Sequence, residues 1–137
     1  MFEPYDTVEA LAAALDNDDY TTVLSLLSDD VTYELGNRTL RGPEAVAASY
    51  RESSEMARRI FDSVEYGHSH PRTTDGHTFG IAYTDTLTID DETLIHNAHQ
   101  TVTVDRTKGV THITNEEVPG ESAKVEEFLE RHGRSRT

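Results

Sequence analysis

The spacing of the apolar residues changes near Arg59, and this change constrains the fold more than any other feature of the chain. Before it, apolar residues recur at intervals of three and four, as in helices; after it, they alternate with polar residues, as in strands. Turn-forming residues separate the alternating segments, which are 59–69, 77–89, 93–104 and 110–118. Helices followed by a meander of long strands predict an α+β domain in which a curved antiparallel sheet wraps around the N-terminal helices.

The first part of the chain carries the signals of three helices and a short strand. Asp6 and Glu9 have the spacing of a capping box, which predicts a helix that starts there. The other predicted elements are a helix from Tyr20, a strand over 31–35, a helix from Pro43 to about Ala57, and a last helix after Gly120.

The length of 137 residues suits one domain, which we expect to span 1–132 with a flexible tail at 133–137. No apolar run is long enough to cross a bilayer, and the N-terminus is acidic where a signal peptide would be basic and then apolar. These features predict a soluble, cytoplasmic protein.

The net charge is −14, from 12 basic and 26 acidic residues. This charge repels nucleic acids and anionic membranes, so we expect neither as a partner. Lys108 and Lys124 are the only lysines, and an acidic, lysine-poor surface is one way to stay hydrated in concentrated salt. The composition therefore suggests adaptation to high salt, with an ordinary acidic protein as the alternative.

The segment LAAALDNDDYTTVLSLLSDDVTYELGNRTLRGPEAVAASYRE, residues 11–52, resembles the opening of the nuclear-transport-factor-2-like (NTF2-like) superfamily. The shared features are the Asp18-Asp19 link, the stretch from Leu26 to Val31, and the stretch from Gly42 to Val46. The resemblance implies an α+β cone whose curved sheet encloses a mainly apolar pocket, commonly in a dimer. That superfamily includes ketosteroid isomerases, SnoaL-like polyketide cyclases, a dehydratase, an epoxide hydrolase and non-catalytic binding modules.

The residues at the positions of the ketosteroid isomerase site do not support steroid chemistry. Leu35 stands where those enzymes carry the general-base aspartate, Leu11 where they carry the oxyanion-hole tyrosine, and Gln100 near the protonated aspartate. The SnoaL-like cyclases instead carry an aspartate and a histidine on later strands that face the pocket. By region and face, Asp85 and His96 are the nearest counterparts here.

Asp85 lies on the apolar face of its predicted strand, between Tyr83 and Leu87. Desolvation among apolar neighbours would raise the pKa of its carboxyl above about 3.9. Such a group can take a proton from a carbon next to a carbonyl, or give one to an oxygen. The alternative is that Asp85 pairs with an arginine or bonds a hydroxyl in a polar patch.

The next predicted strand has two possible inner faces. The resemblance favours the even-numbered face, on which His96 could share a proton with Asp85 and Gln100 could bond a carbonyl oxygen. The alternative is that His96 lies on a half-exposed sheet surface.

Other side chains are predicted to line the pocket. The walls of the pocket would be formed by Tyr33, Phe79 and Tyr83. The alternative for Tyr33 is that it packs in the core and does not line the pocket. The last strand directs inward either His112, Thr114 and Glu116 or Ile113, Asn115 and Glu117. We favour the second set because it keeps Ile113 in the core; Asn115 would then hold a ligand oxygen and Glu117 would lie near the pocket mouth.

No metal or cofactor is predicted. The chain has no cysteine, and it lacks the nucleophile elbow, the phosphate-binding glycine loop and the dinucleotide fingerprint. His68 and His70 share a strand face beside a turn, but no third ligand lies nearby, so we interpret the pair as exposed.

Two classes of function follow. The first is cofactor-free isomerisation, cyclisation or dehydration of a small apolar or aromatic carbonyl compound. The second is non-catalytic: ligand binding, or association as a homodimer through the flat sheet face of Gly80, Ala82, Thr84 and Thr86.

Overall fold

The structure is a computed structural model that describes residues 1–135. Four helices and seven strands follow in the order α1 (Pro4–Asp16), α2 (Tyr20–Leu26), β1 (Leu27–Leu35), β2 (Arg38–Arg41), α3 (Pro43–Ile60), β3 (Ser63–His68), β4 (Arg72–Thr73), β5 (Thr78–Ile89), β6 (Glu92–Asp105), β7 (Gly109–Glu116) and α4 (Glu121–Arg131).

Several predicted boundaries are wrong; among the strands, β1 begins at Leu27 rather than at residue 31, and β3 spans Ser63–His68 rather than 59–69. Helix α1 begins at Pro4 with Glu3 as its N-cap, so Asp6 lies inside the helix and the predicted capping box does not form. Proline at the first helical position fixes φ near the helical value and lacks an N–H that would be unpaired there. Helix α3 continues to Ile60, because Ala57 and Ile60 extend its apolar face by one more turn.

The strands form one sheet in the order β2-β1-β7-β6-β5-β3, with β4 paired to β5. The predicted α+β class is confirmed. The sheet is mixed, however, because β1 runs parallel to β7 while the other pairs are antiparallel. Most of the domain separates β1 from β7 in sequence, so no hairpin dictates their relative direction.

The turn between β5 and β6 fixes the alignment of the two longest strands. It contains Asp90 and Asp91, whose φ angles of 50° and 68° are typical of the turns that join tight hairpins. Ile89 consequently pairs with Glu92, and every later pair in the two strands follows from that register.

The apolar core consists of two clusters. The larger one joins α1, α2 and α3 to the sheet, and its fully buried members include Leu11, Val23, Val46, Val102 and Ile113. The smaller one packs α4 against β3 and β5 and comprises Phe61, Val64, Leu87, Ile89, Val125, Phe128 and Leu129. These clusters hold the concave face of the sheet against the helices.

Residues 136 and 137 of the predicted flexible tail lie outside the described residues, so the tail and the 1–132 boundary stay predictions. Within the described part, Arg134 donates hydrogen bonds to the carbonyl of Ile60 and to Asp62. No helix in residues 1–135 is both long and apolar enough to cross a membrane.

Candidate functional site

A cavity of about 520 Å³ lies between the concave face of the sheet and the helices. Its wall is rich in tyrosine: five of the six tyrosines of the chain line it, namely Tyr20, Tyr33, Tyr50, Tyr66 and Tyr83. Besides the tyrosines, the wall contains three titratable side chains, which are Asp16, Asp85 and His96. No lysine or arginine is among the described lining residues. The cavity is therefore suited to a neutral ligand rather than an anion.

Asp85 and His96 lie side by side in this wall. They occupy directly paired positions of β5 and β6, and His96 Nδ1 is 3.1 Å from Asp85 Oδ2. Their side chains are 26% and 27% exposed, so both are reachable from the cavity without being freely solvated. The even-numbered face of β6 thus faces the cavity, and Asp85 contacts a histidine rather than an arginine.

Gln100 is the centre of a hydrogen-bond network in the cavity wall. It accepts a hydrogen bond from the Tyr50 hydroxyl at 2.9 Å, and its amide nitrogen donates to the Tyr33 hydroxyl at 3.1 Å and to Asn115 Oδ1 at 3.4 Å. The rings of Tyr33 and Tyr50 stack with their centroids 5.2 Å apart. Both ends of the Gln100 amide are thus engaged by protein, and this side chain holds its neighbours in place.

The buried tyrosines are neutral at physiological pH. Burial raises the pKa of Tyr33 to about 12 and raises the pKa values of Tyr50 and Tyr83 as well. Each of these phenols keeps its proton and can act as a hydrogen-bond donor.

Asn115 is the lining residue of β7, opposite Gln100 in the strand pairing. Its neighbour two residues earlier, Ile113, is fully buried, which is the register that we favoured from the sequence. Because Asn115 Oδ1 accepts from Gln100, its amide nitrogen is directed elsewhere and has no hydrogen-bond partner within residues 1–135. Asn115 can therefore donate to a ligand oxygen.

The structure corrects the placement of two predicted site residues. Phe79 does not line the cavity; it is 1% exposed, lies within the core and meets the ring of Tyr5 edge-on. Glu117 follows the last residue of β7 and is exposed, so it lies outside the cavity wall. Alternation predicts the face of a strand residue, but not how far along the strand the cavity extends.

A second acid–histidine pair, missed in the sequence, lies at the α1 end of the cavity. Asp16 Oδ2 is 2.6 Å from His68 Nδ1, and His68 Nε2 is 3.4 Å from Glu9 Oε2. His68 was interpreted as exposed together with His70, yet its side chain is 16% exposed against 92% for His70. Glu9 and Asp16 are seven residues apart, two turns of a helix, and this spacing is the signal that could have indicated a shared face.

The pKa of His68 reflects its two carboxylate neighbours. Burial by itself would lower this pKa, but the hydrogen bonds to Asp16 and Glu9 outweigh burial and raise it above 6.5. The imidazole of His68 therefore holds its proton more strongly than a free histidine does.

A third polar cluster closes the cavity between α1 and α3. Asp18 accepts hydrogen bonds from Tyr20 and Ser54 through one oxygen, and from Arg58 through the other at 2.9 Å. The Ser54 hydroxyl is also 3.0 Å from that of Tyr66. Because all these groups are paired with one another, we assign the cluster a structural role.

Within residues 1–135, no group of three or more metal-ligating side chains is arranged to hold a metal ion.

No protein-family model matches the sequence, and a search of curated proteins finds no significant match. Solved structures do match. An LEH-like epoxide hydrolase from M. tuberculosis aligns with a TM-score of 0.66 and 23% identity, covering 96% of this chain and 95% of its own.

A proposed polyketide cyclase from Xanthomonas campestris aligns with a TM-score of 0.66 and 18% identity, over 93% of this chain and 95% of its own. A third match is SalBIII, an epoxide hydrolase/cyclase-like enzyme described in pyran ring formation in the polyether salinomycin. It aligns with a TM-score of 0.66 and 15% identity, covering 85% of this chain and 91% of its own. With the observed helices and curved sheet, these neighbours show that the chain shares their α+β cone fold.

Proposed function

We propose that this protein binds a small, neutral, mainly apolar carbonyl compound in the cavity and catalyses a cofactor-free proton transfer on it. The observation that carries the proposal is the Asp85–His96 pair, a carboxylate and an imidazole in contact in a cavity wall that contains many apolar and phenolic side chains. Carboxylates in such surroundings are suited to acid–base work.

Each residue of the pair has a distinct task in this mechanism. Asp85 takes a proton from the carbon next to the ligand carbonyl; the electron pair of the broken C–H bond forms a C=C bond, and the π pair of the C=O bond moves onto oxygen to give an enolate. His96 orients Asp85 through the 3.1 Å contact. Asp85 then returns the proton to another atom of the same ligand, which completes an isomerisation without any external reactant.

Asn115 is the residue that we assign to the developing negative charge on the ligand oxygen. Its amide nitrogen is directed away from Gln100, whose own amide is already engaged by Tyr33, Tyr50 and Asn115. A donor held in position before the reaction stabilises an oxyanion more than a mobile one would. Gln100 is thus a positioning residue rather than the contact to the ligand.

The experiment that tests this function is deuterium uptake. Cyclic ketones and 1,3-diketones are incubated with the protein in D2O, and exchange next to the carbonyl is followed by proton NMR. We expect exchange that falls about 100-fold or more in Asp85→Asn. Asp29→Asn, which removes the same charge from an exposed position outside the cavity, should keep the full rate. Ketone binding without exchange would contradict the catalytic step and favour a non-catalytic binding protein.

A second candidate function is association through the outer face of the sheet, as a homodimer. Ile95 favours this function. Its side chain lies on the outer face of β6, opposite Thr86 of β5, and Ile95 is 50% exposed. An exposed apolar residue on a flat strand pair is suited to an interface. Sedimentation of the protein and of Ile95→Lys would test it: a dimer that Ile95→Lys converts to monomer supports the interface, and a monomeric parent protein contradicts it.

A further inference from the structure

Two unpaired polar groups that interact electrostatically, on Asp16 and Tyr83, lie in the cavity wall besides the Asp85–His96 pair. Asp16 Oδ1 and the Tyr83 hydroxyl are both buried, and neither has a hydrogen-bond partner within residues 1–135. Both side chains line the cavity. Unpaired buried polar groups are uncommon because each costs free energy, so this pair indicates a ligand group that completes it.

The orientation of Asp16 is fixed by its other oxygen. Oδ2 is 2.6 Å from His68 Nδ1, and His68 in turn contacts Glu9. Asp16 is also the last residue of α1, where the partial negative charge of the helix end disfavours a carboxylate. Helix stability therefore does not explain this residue, whereas the contact of Oδ2 with His68 orients the carboxyl group and leaves Oδ1 without a partner within residues 1–135.

Tyr83 supplies the complementary group. It lies two residues before Asp85 on β5, so both side chains project from the same face and are about 7 Å apart along the strand. Burial and the nearby carboxylate of Asp16 raise the pKa of Tyr83, which keeps its proton at neutral pH. The subsite thus offers one acceptor and one donor at a short distance from the proposed reaction centre.

We propose that Asp16 and Tyr83 form a subsite for a hydroxyl group of the ligand, which donates to Asp16 Oδ1 and accepts from the Tyr83 phenol. A hydroxyl satisfies both groups because it is donor and acceptor at once; a carbonyl would satisfy Tyr83 alone, and an ammonium would leave the Tyr83 proton unpaired. This inference rests on the proposed function and narrows its ligand class to hydroxylated carbonyl compounds.

The test compares small probes of one skeleton: cyclohexanol, its methyl ether, cyclohexylamine and cyclohexanone. Each is titrated into the protein, and dissociation constants are read from backbone amide NMR shifts. We expect cyclohexanol to bind about tenfold or more tightly than the ether, which cannot donate. In Tyr83→Phe and in Asp16→Ala that preference should fall to about twofold or less.

Matched variants separate binding from folding. Tyr5→Phe removes a phenol that does not line the cavity, and Asp29→Ala removes an exposed carboxylate, so both should keep the preference. Tyr83→Phe removes a buried, unpaired hydroxyl, and its midpoint in urea should be equal to or above that of the parent protein.

The outcomes distinguish this inference from the proposed function. If cyclohexanone binds but cyclohexanol is no better than its ether, or if the preference survives in Tyr83→Phe, the subsite holds at most a structural water and the inference is overturned. Tighter binding of cyclohexylamine that depends on Asp16 alone would overturn it in favour of an ammonium subsite. If none of the four probes binds, the proposed cavity function itself fails.

Discussion

Asp85 Oδ2 and His96 Nδ1 are 3.1 Å apart across directly paired positions of β5 and β6. This contact depends on the two-residue turn at Asp90 and Asp91, since a shift of one residue in the register would move His96 to the outer face of the sheet. A local turn thus determines which residues face each other in the candidate site, although Asp85 and His96 lie several residues away from the turn in β5 and β6.

The Asp85–His96 contact should contribute modestly to stability. Both side chains are about a quarter exposed, so a double-mutant cycle with Asp85→Asn and His96→Gln should give a coupling of about 0.5–1 kcal/mol. Urea unfolding of the parent protein, the two single variants and the double variant at pH 6 measures it. Strictly additive free energies would show that the two groups do not interact in solution.

Replacing Gln100 should destabilise the protein. Gln100 is 5% exposed, and Gln100→Leu would remove the partner of Tyr50, Tyr33 and Asn115 at once. Buried groups that lose their partners make this cost about 1–3 kcal/mol in the free energy of unfolding. The matched control is Thr101→Val, next along β6 on the outer face, which should cost much less. Equal losses in the two variants would contradict the assigned role of Gln100.

Stability should depend on pH through His68. Its pKa is raised in the folded protein, so its contribution is fully present below about pH 6.5 and is lost as the pH rises through the folded pKa. The free-energy difference between the parent protein and His68→Gln should therefore shrink from pH 6 towards pH 8.5. His70→Gln, at a 92% exposed position, should show no such trend. A difference that grows with pH would show that His68 folds as the neutral imidazole.

Asp18 should contribute to stability with the opposite dependence on pH. Burial alone would raise its pKa, but the hydrogen bonds from Ser54 and Tyr20 and the neighbouring Arg58 lower it. Its contribution is therefore present above the unfolded pKa near 3.9 and is lost as the pH falls through the folded value.

Asp18→Asn should cost about 1–2 kcal/mol at pH 7, and the cost should shrink as the pH falls below about 4. Asparagine tolerates the φ of 54° at this position, so the substitution leaves the backbone conformation unchanged. Asp91→Asn is the matched control, because Asp91 has a similar φ and is exposed. Urea unfolding at pH 7 and at pH 3 measures the effect, and a cost that is undiminished at pH 3 would point to packing rather than charge.

Salt should stabilise the folded protein. With a net charge of −14, repulsion among carboxylates opposes compaction, and it weakens as the Debye length falls from about 10 Å at 0.1 M to about 3 Å at 1 M salt. The melting temperature should rise with KCl, and it should rise less in a triple variant with Asp29→Asn, Glu52→Gln and Glu126→Gln. All three positions are exposed. The same salt response in both proteins would exclude charge screening as the cause.

The class of fold and the faces of the strands follow from the local order of residues. Apolar spacing is a local property, and it placed Asp85, His96 and Asn115 on the inner side because alternate residues of a strand share a face. The residues of the first three helices also carried a resemblance specific enough to indicate the NTF2-like cone.

Which of these faces enclose the cavity, and what each polar group contacts, depend instead on long-range packing. The Asp16–His68 pair joins the end of α1 to an edge strand 52 residues later, and Gln100 joins three elements that are distant in the chain. Phe79 and Glu117 share the periodicity of the lining residues, yet one is in the core and the other is beyond the strand end. Local periodicity does not specify contacts of this kind, because they depend on how the curved sheet packs against the helices.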